Sequence, residues 1–86
     1  MAINLEYGDS FKRATLVSVM EAMRTELFSL CLQSGIDPET LDISNPNSDP
    51  KISGASETDF NYHAINRIKQ VCEGYALAKE KLDNLS

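Results

Sequence analysis

Apolar positions recur along this chain with a helical period in two stretches, separated by a stretch with no period. Between Phe11 and Ser34 there is neither Pro nor Gly, and Leu16, Met20, Met23, Leu27 and Leu30 follow one another at steps of 4, 3, 4 and 3. Residues three and four apart share one face of an α-helix, so these form a single apolar stripe. Val17, Val19, Phe28, Cys31 and Leu32 widen it. Asp9 or Ser10 offers a short side-chain oxygen to the N–H groups that open a helix. Gly35, with Ile36 behind it, supplies the left-handed position and apolar contact that close one. The pattern predicts a helix over about 10–34, roughly 36 Å long.

The second stretch is more regular. Ala64, Ile68, Val71, Tyr75, Ala78, Leu82 and Leu85 repeat at steps of 4, 3, 4, 3, 4 and 3, a sustained heptad seam. Phe60, Tyr62, Ile65 and Cys72 flank it. Ser56 followed by Asp59 reads as a capping-box start, so a helix is expected over about 57–85. Gly74 inside it costs ~1 kcal/mol against Ala, tolerable where another backbone or a ligand comes close. Lys79 and Lys81 suit the negative end of the helix dipole.

Between the two, Asp37-Pro38 starts a short helical turn over 37–42, with Asp37 as cap and Pro38 in the first position. Residues 44–56, SNPNSDPKISGAS, read as loop from their Asn-Pro, Asp-Pro and Ser-Gly steps. A structureless stretch of this length is unusual in a compact domain and marks a mobile or functional segment. Ile3, Leu5 and Tyr7 alternate ahead of the first helix, as in an extended arm or an early helical turn.

These elements predict a single all-α domain over 1–86, an antiparallel hairpin of two long helices with a short turn and a long acidic loop between them. A chain of this length buries only about 60–65% of its unfolded surface. Phe11, Val17, Val19, Phe28, Leu32, Phe60, Tyr62 and Leu77 lie beside the main stripes and outnumber what one helix pair can cover. Apolar burial is worth about 25 cal/mol per Å². Self-association is therefore expected, most simply as a dimer forming a four-helix bundle, with Ala64, Ile68, Val71, Tyr75, Ala78 and Leu82 as its seam. The monomeric alternative folds Ile36–Ile43 back over the hairpin. A stripe of small residues, Thr15, Ser18, Ala22, Thr25 and Ser29, runs along the first helix. It is either a polar solvent face or the place where a further helix packs.

Charge narrows the partners. The net charge is −5, and residues 36–59 hold six acids (Asp37, Glu39, Asp42, Asp49, Glu57, Asp59) against Lys51 alone. Nucleic-acid binding needs a basic footprint and is not expected. No apolar run approaches the ~18 residues of a membrane span, and the start lacks the basic and apolar regions of a signal peptide. The expected location is the cytoplasm, where Cys31 and Cys72 stay reduced and act as small hydrophobes; a Cys31–Cys72 bridge is open only if the two helices cross at those points.

Little in the chain suggests catalysis. His63 is the only histidine, and Cys72 is nine residues further along the same helix, too far for a nucleophile pair. Two separate cysteines and one histidine match no zinc spacing. Asp42 and Asp49 lack the order of a calcium loop. No Gly-rich phosphate cradle is present. The chain is not expected to be an enzyme or to carry a cofactor or metal.

Two polar groupings remain. Tyr7, Lys12, Arg13, His63 and Arg67 would form an anion-binding site if a bundle end or subunit seam gathered them; apart, they are solvated helix surface. Asp37, Glu39, Asp42 and Asp49 would face a basic partner surface, since charge complementarity speeds and directs association. In outline the hairpin is similar to those of Rop-like dimers and of phage proteins that block host defence or sequester signalling nucleotides, a likeness of shape that no residue motif carries. The expected function is a non-enzymatic interaction protein, adaptor or inhibitor in type and of phage or plasmid kind, binding another protein as an oligomeric helical bundle. The alternative is a protein that binds or sequesters a small anionic ligand such as a nucleotide.

Overall fold

The computed structural model describes residues 8–85. All regular structure among them is helical: α1 (Gly8–Ser34), a 3-10 turn (Pro46–Ser48), the one-turn α2 (Pro50–Ser53) and α3 (Tyr62–Asp83). None of these helices is long and apolar enough to cross a membrane. The described residues form a rod of 55 × 19 × 19 Å.

α1 ends as its sequence dictates. Gly35 takes a φ of 72°, which disfavours any residue with a Cβ. Its N–H then donates to the Leu32 carbonyl at 3.3 Å, and the Ile36 N–H to that of Cys31 at 2.8 Å. This double closure satisfies carbonyls the helix leaves open, and it turns Ile36 inward, where it is buried.

α3 runs back along α1 in the opposite direction. Asn61 Nδ2 donates to the Ser34 carbonyl at 3.1 Å. Further along, Arg67 reaches Glu26, with Nε to Oε2 at 2.7 Å and Nη2 to Oε1 at 3.2 Å. At Gly74 a Cβ would stand 3.0 Å from Met23 Cε. The expected close approach at this glycine is thus a methionine thioether rather than a backbone.

The connector is the main departure from the sequence reading. Residues 44–56 are not structureless, because they contain the 3-10 turn and α2. Asp49 caps α2 by accepting from the Lys51 N–H at 2.9 Å, and Pro50 occupies the first helical position. Ile52 of α2 is completely buried, in one cluster with Ile36, Leu41, Leu27, Cys31, Ile65, Ile68, Val71 and Cys72. Leu30, Met23, Ile43 and Ala55 pack against that cluster. The connector therefore forms a third layer over one end of the hairpin, close to the monomeric alternative but reaching as far as Ala55.

α3 begins later than predicted. Ser56 and Asp59 do exchange reciprocal bonds, Ser56 N to Asp59 Oδ2 at 2.8 Å and Asp59 N to Ser56 O at 2.9 Å. They close an isolated turn, and the helix follows at Tyr62.

Candidate functional site

The antiparallel arrangement separates the residues expected to gather around an anion. Lys12 lies at the start of α1 beside Lys81, Asn84 and Leu85 from the end of α3. Arg67 lies on the first half of α3 beside Glu26. His63 is near it, exposed, with its ring edge-on to Tyr62 at a centroid distance of 6.2 Å. Within one chain, Lys12 and Arg13 thus stand at the far end of the rod from His63 and Arg67. Tyr7 lies outside the described residues.

Arg67 is engaged by Glu26 and also donates from Nη1 to Gln70 Oε1 at 3.3 Å. Its hydrogen bond holds the Glu26 carboxyl below its ordinary range, against the opposing effect of desolvation. This pair ties the two long helices together rather than presenting a free guanidinium.

The acids of the connector hold its turns. Asp37 accepts from the Glu39 N–H at 2.9 Å. Asp42 accepts from the Ser44 N–H at 3.0 Å and from the Ser44 hydroxyl at 2.6 Å. Those bonds keep the Asp42 carboxyl below its ordinary range, so it stays charged. Asp49 caps α2 as described. Side-chain carboxylates in such turns stand in for backbone partners. Glu39 is exposed.

The heptad seam of α3 is used inside the chain. Ile68, Val71 and Ala78 are buried, and Ala64, Tyr75 and Leu82 are half-buried. Apolar surface open to another molecule therefore lies elsewhere: on α1 at Val17, Phe28 and Leu32, on α3 at Leu77, and at Phe60.

Phe60 was visible in the sequence only as a flank of the seam. It is fully exposed, on a turn fixed by the Ser56–Asp59 exchange and by the Tyr62 N–H donating to the Asp59 carbonyl at 3.1 Å. Ser56 and Thr58 hydroxyls meet at 2.9 Å in the same turn. Glu57 and Asp59 stand beside it. No periodic signal distinguishes a ring held outward on a turn from one at the edge of a helix.

Concavities mark the described surface at several places. A groove of about 470 Å³ between the α1 start and the α3 end is lined by Phe11, Leu16 and Leu85, with Lys12 and Lys81 at its edge. A second, of about 620 Å³, lies between the connector and the last turns of α3, with Leu41, Ile43 and Tyr75 among its walls. A third, of about 360 Å³, lies between Ser34, Lys51, Asp59 and Asn61. Ser34 Oγ is buried without a hydrogen-bond partner among the described residues, while Lys51 Nζ donates to the Gly35 carbonyl.

Cys31 and Cys72 are both buried and free. Burial, with Cys31 nearby, pushes the Cys72 thiol up to about 11. Burial also raises the Cys31 thiol, reinforced by Asp49 and Asp37. A thiol nucleophile must be deprotonated near neutral pH, and this environment opposes that. Among the described residues no His, Cys, Asp and Glu side chains cluster as a metal ion requires.

The described residues thus form a helical hairpin whose connector packs over one end, beside the exposed Phe60. The chain matches no protein-family model, no curated protein and no solved structure.

Proposed function

We propose that the protein is a non-enzymatic interaction protein, an adaptor or inhibitor working as a helical assembly, and that it engages another protein through Phe60 and the acids around it. The observation that carries this reading is the full exposure of Phe60 on a hydrogen-bonded turn. An exposed aromatic ring gains most when a partner pocket desolvates it, and rings of this kind are common binding hot spots. Because the turn is already fixed, little ordering entropy opposes binding. Glu57 and Asp59 beside the ring, with Glu39 and Asp49 on the connector, select a socket rimmed by Lys or Arg. Burial of both thiols, which opposes their deprotonation, fits a role without thiol chemistry.

The test is affinity capture with the wild type and Phe60→Ser in parallel, followed by titration of any captured protein. Phe60→Ser is expected to weaken that complex by about 30-fold or more, the effect of losing ~2 kcal/mol at a hot spot, with unchanged circular dichroism. Equal affinity of the two forms removes Phe60 as the anchor.

A second reading has its own observation. The groove at the opposite end pairs an apolar floor, Leu16 and Leu85, with Lys12 and Lys81. That chemistry suits an anion with an apolar body. Titration with an anionic fluorescent amphiphile is expected to show saturable binding that Lys12→Glu/Lys81→Glu abolishes. Undiminished binding by the double variant ends this reading.

A further inference from the structure

The outward face of α1 carries a pattern that is its own complement. Val17, Glu21, Arg24 and Phe28 are all exposed and follow one another at steps of 4, 3 and 4, forming one row along the helix. In the middle of the row stand an acid and a base; at its ends stand two apolar side chains, Val17 at 40% and Phe28 at 51% exposure. Neither Glu21 nor Arg24 forms an ion pair within the described chain. When such a row meets a copy of itself running the opposite way, about a two-fold axis between residues 22 and 23, Val17 lies opposite Phe28 of the partner subunit. Glu21 then lies opposite Arg24 of the partner subunit. The axis repeats both pairs, as an isologous contact requires.

A second feature shares that centre. Thr15, Ser18, Ala22, Thr25 and Ser29 form the adjacent row, all exposed. Thr15 and Ser29 are equally distant from Ala22, so this row is also centred within a residue of the axis. Small side chains let two helices approach to the short end of the usual 8–10 Å range. Leu32, 61% exposed, extends the apolar surface at one end. Parallel pairing would instead set Glu21 level with Glu21 and Arg24 level with Arg24, an arrangement that like charges oppose.

We infer that α1 is a self-association surface: two copies of this chain pack antiparallel through the Val17–Glu21–Arg24–Phe28 row, with the two-fold axis between residues 22 and 23 and the small-residue row at the edge of the contact. The inference deepens the assembly part of the proposed function, on which it rests, and is independent of Phe60. It sets the paired α1 helices at the centre of the dimer and each α3 outside, in place of a bundle joined through the α3 seam.

Charge exchange tests it. The measurement is the molar mass of the full chain by sedimentation equilibrium, with helicity followed by circular dichroism. The wild type is expected to be a dimer. Glu21→Arg alone is expected to raise the dimer dissociation constant at least tenfold while staying helical. The double variant Glu21→Arg/Arg24→Glu, which restores opposite signs across the axis, is expected to recover the dimer. Glu21→Cys, close to the axis on the paired row, is expected to cross-link to itself under mild oxidation, and Val17→Cys, about 16 Å from its own copy, is not. A wild-type monomer throughout the accessible concentration range overturns both this interface and the assembly reading. A wild-type dimer that Glu21→Arg leaves intact overturns this interface alone and returns assembly to another face. Cross-linking by Val17→Cys as readily as by Glu21→Cys overturns the antiparallel geometry.

Discussion

Glu26 and Arg67 show how a surface residue acquires a structural role. The pair is bidentate and links α1 to α3, yet both side chains remain about half exposed, 41% and 50%. Exposed pairs contribute little, because solvent screens them and ordering two long side chains costs entropy. The sign of the pH effect is nevertheless fixed. The Arg67 hydrogen bond lowers the folded-state pKa of Glu26 below its ordinary value of 4.5. Its contribution is therefore fully present above pH 4.5 and is lost as pH falls through the lower, folded-state value. Thermal melts from pH 6 down to pH 3 are expected to show a steeper loss of stability for the wild type than for Glu26→Gln. Parallel curves would show that the pair contributes nothing to acid sensitivity. In the sequence, Arg67 was legible as a basic residue on α3, but its partner 41 positions away was not. Equally, no local pattern tells that Lys12 and Arg13 stand at the other end of the same chain.

At the level of elements, what could be read from the sequence was what local chemistry decides. The α1 stripe and its Gly35–Ile36 ending are local, and both stand as predicted. The connector depends on packing against residues distant in sequence. Its Pro, Asn, Ser and Gly residues are turn formers, and they concealed one fully buried isoleucine. Ile52 brings α2 into one buried cluster with residues of both long helices, so the connector is held by a side chain as well as by its backbone turns. Ile52→Ala is expected to cost about 2–5 kcal/mol by opening a cavity, lowering the melting midpoint by about 10 °C or more. Ser53→Ala, one residue on and exposed, is expected to leave it within about 2 °C. Equal midpoints for Ile52→Ala and wild type would mean that α2 is not part of the cooperative core. The α3 start erred for a related reason: Ser56 and Asp59 do bond to each other, but through the Ser56 backbone carbonyl rather than its hydroxyl, and the bonds close a turn of their own. That displacement is what places Phe60 outside the helix.

Across the whole molecule, the connector covers only part of the hairpin. The main cluster runs from Leu27 and Cys31 on α1 to Ile65, Ile68, Val71 and Cys72 on α3, beneath Ile36, Leu41 and Ile52. Toward the α1 start and α3 end, packing is thinner: Leu16, Leu82 and Leu85 are half-buried, and the groove of about 470 Å³ opens beside them. Local opening is easiest where apolar contacts are few. The two proposed contact regions differ in the same way. Phe60 sits at the well-packed end, while the α1 row extends along the side of the rod.

A body of 55 × 19 × 19 Å does not tumble as a sphere. With an axis ratio of 55 to 19, it drags more solvent than a compact protein of 9.5 kDa and diffuses more slowly. A single copy would therefore emerge early from a sizing column, at a volume calibrated to a heavier globule. Two copies joined side by side along α1 would widen the rod more than lengthen it. The pair would come closer to globular drag, so doubling the mass would shift the elution volume less than for two spheres. NMR relaxation would separate the two states more clearly: N–H vectors along the helix axes of a lone rod would relax differently from those across it, and pairing along α1 would reduce that contrast.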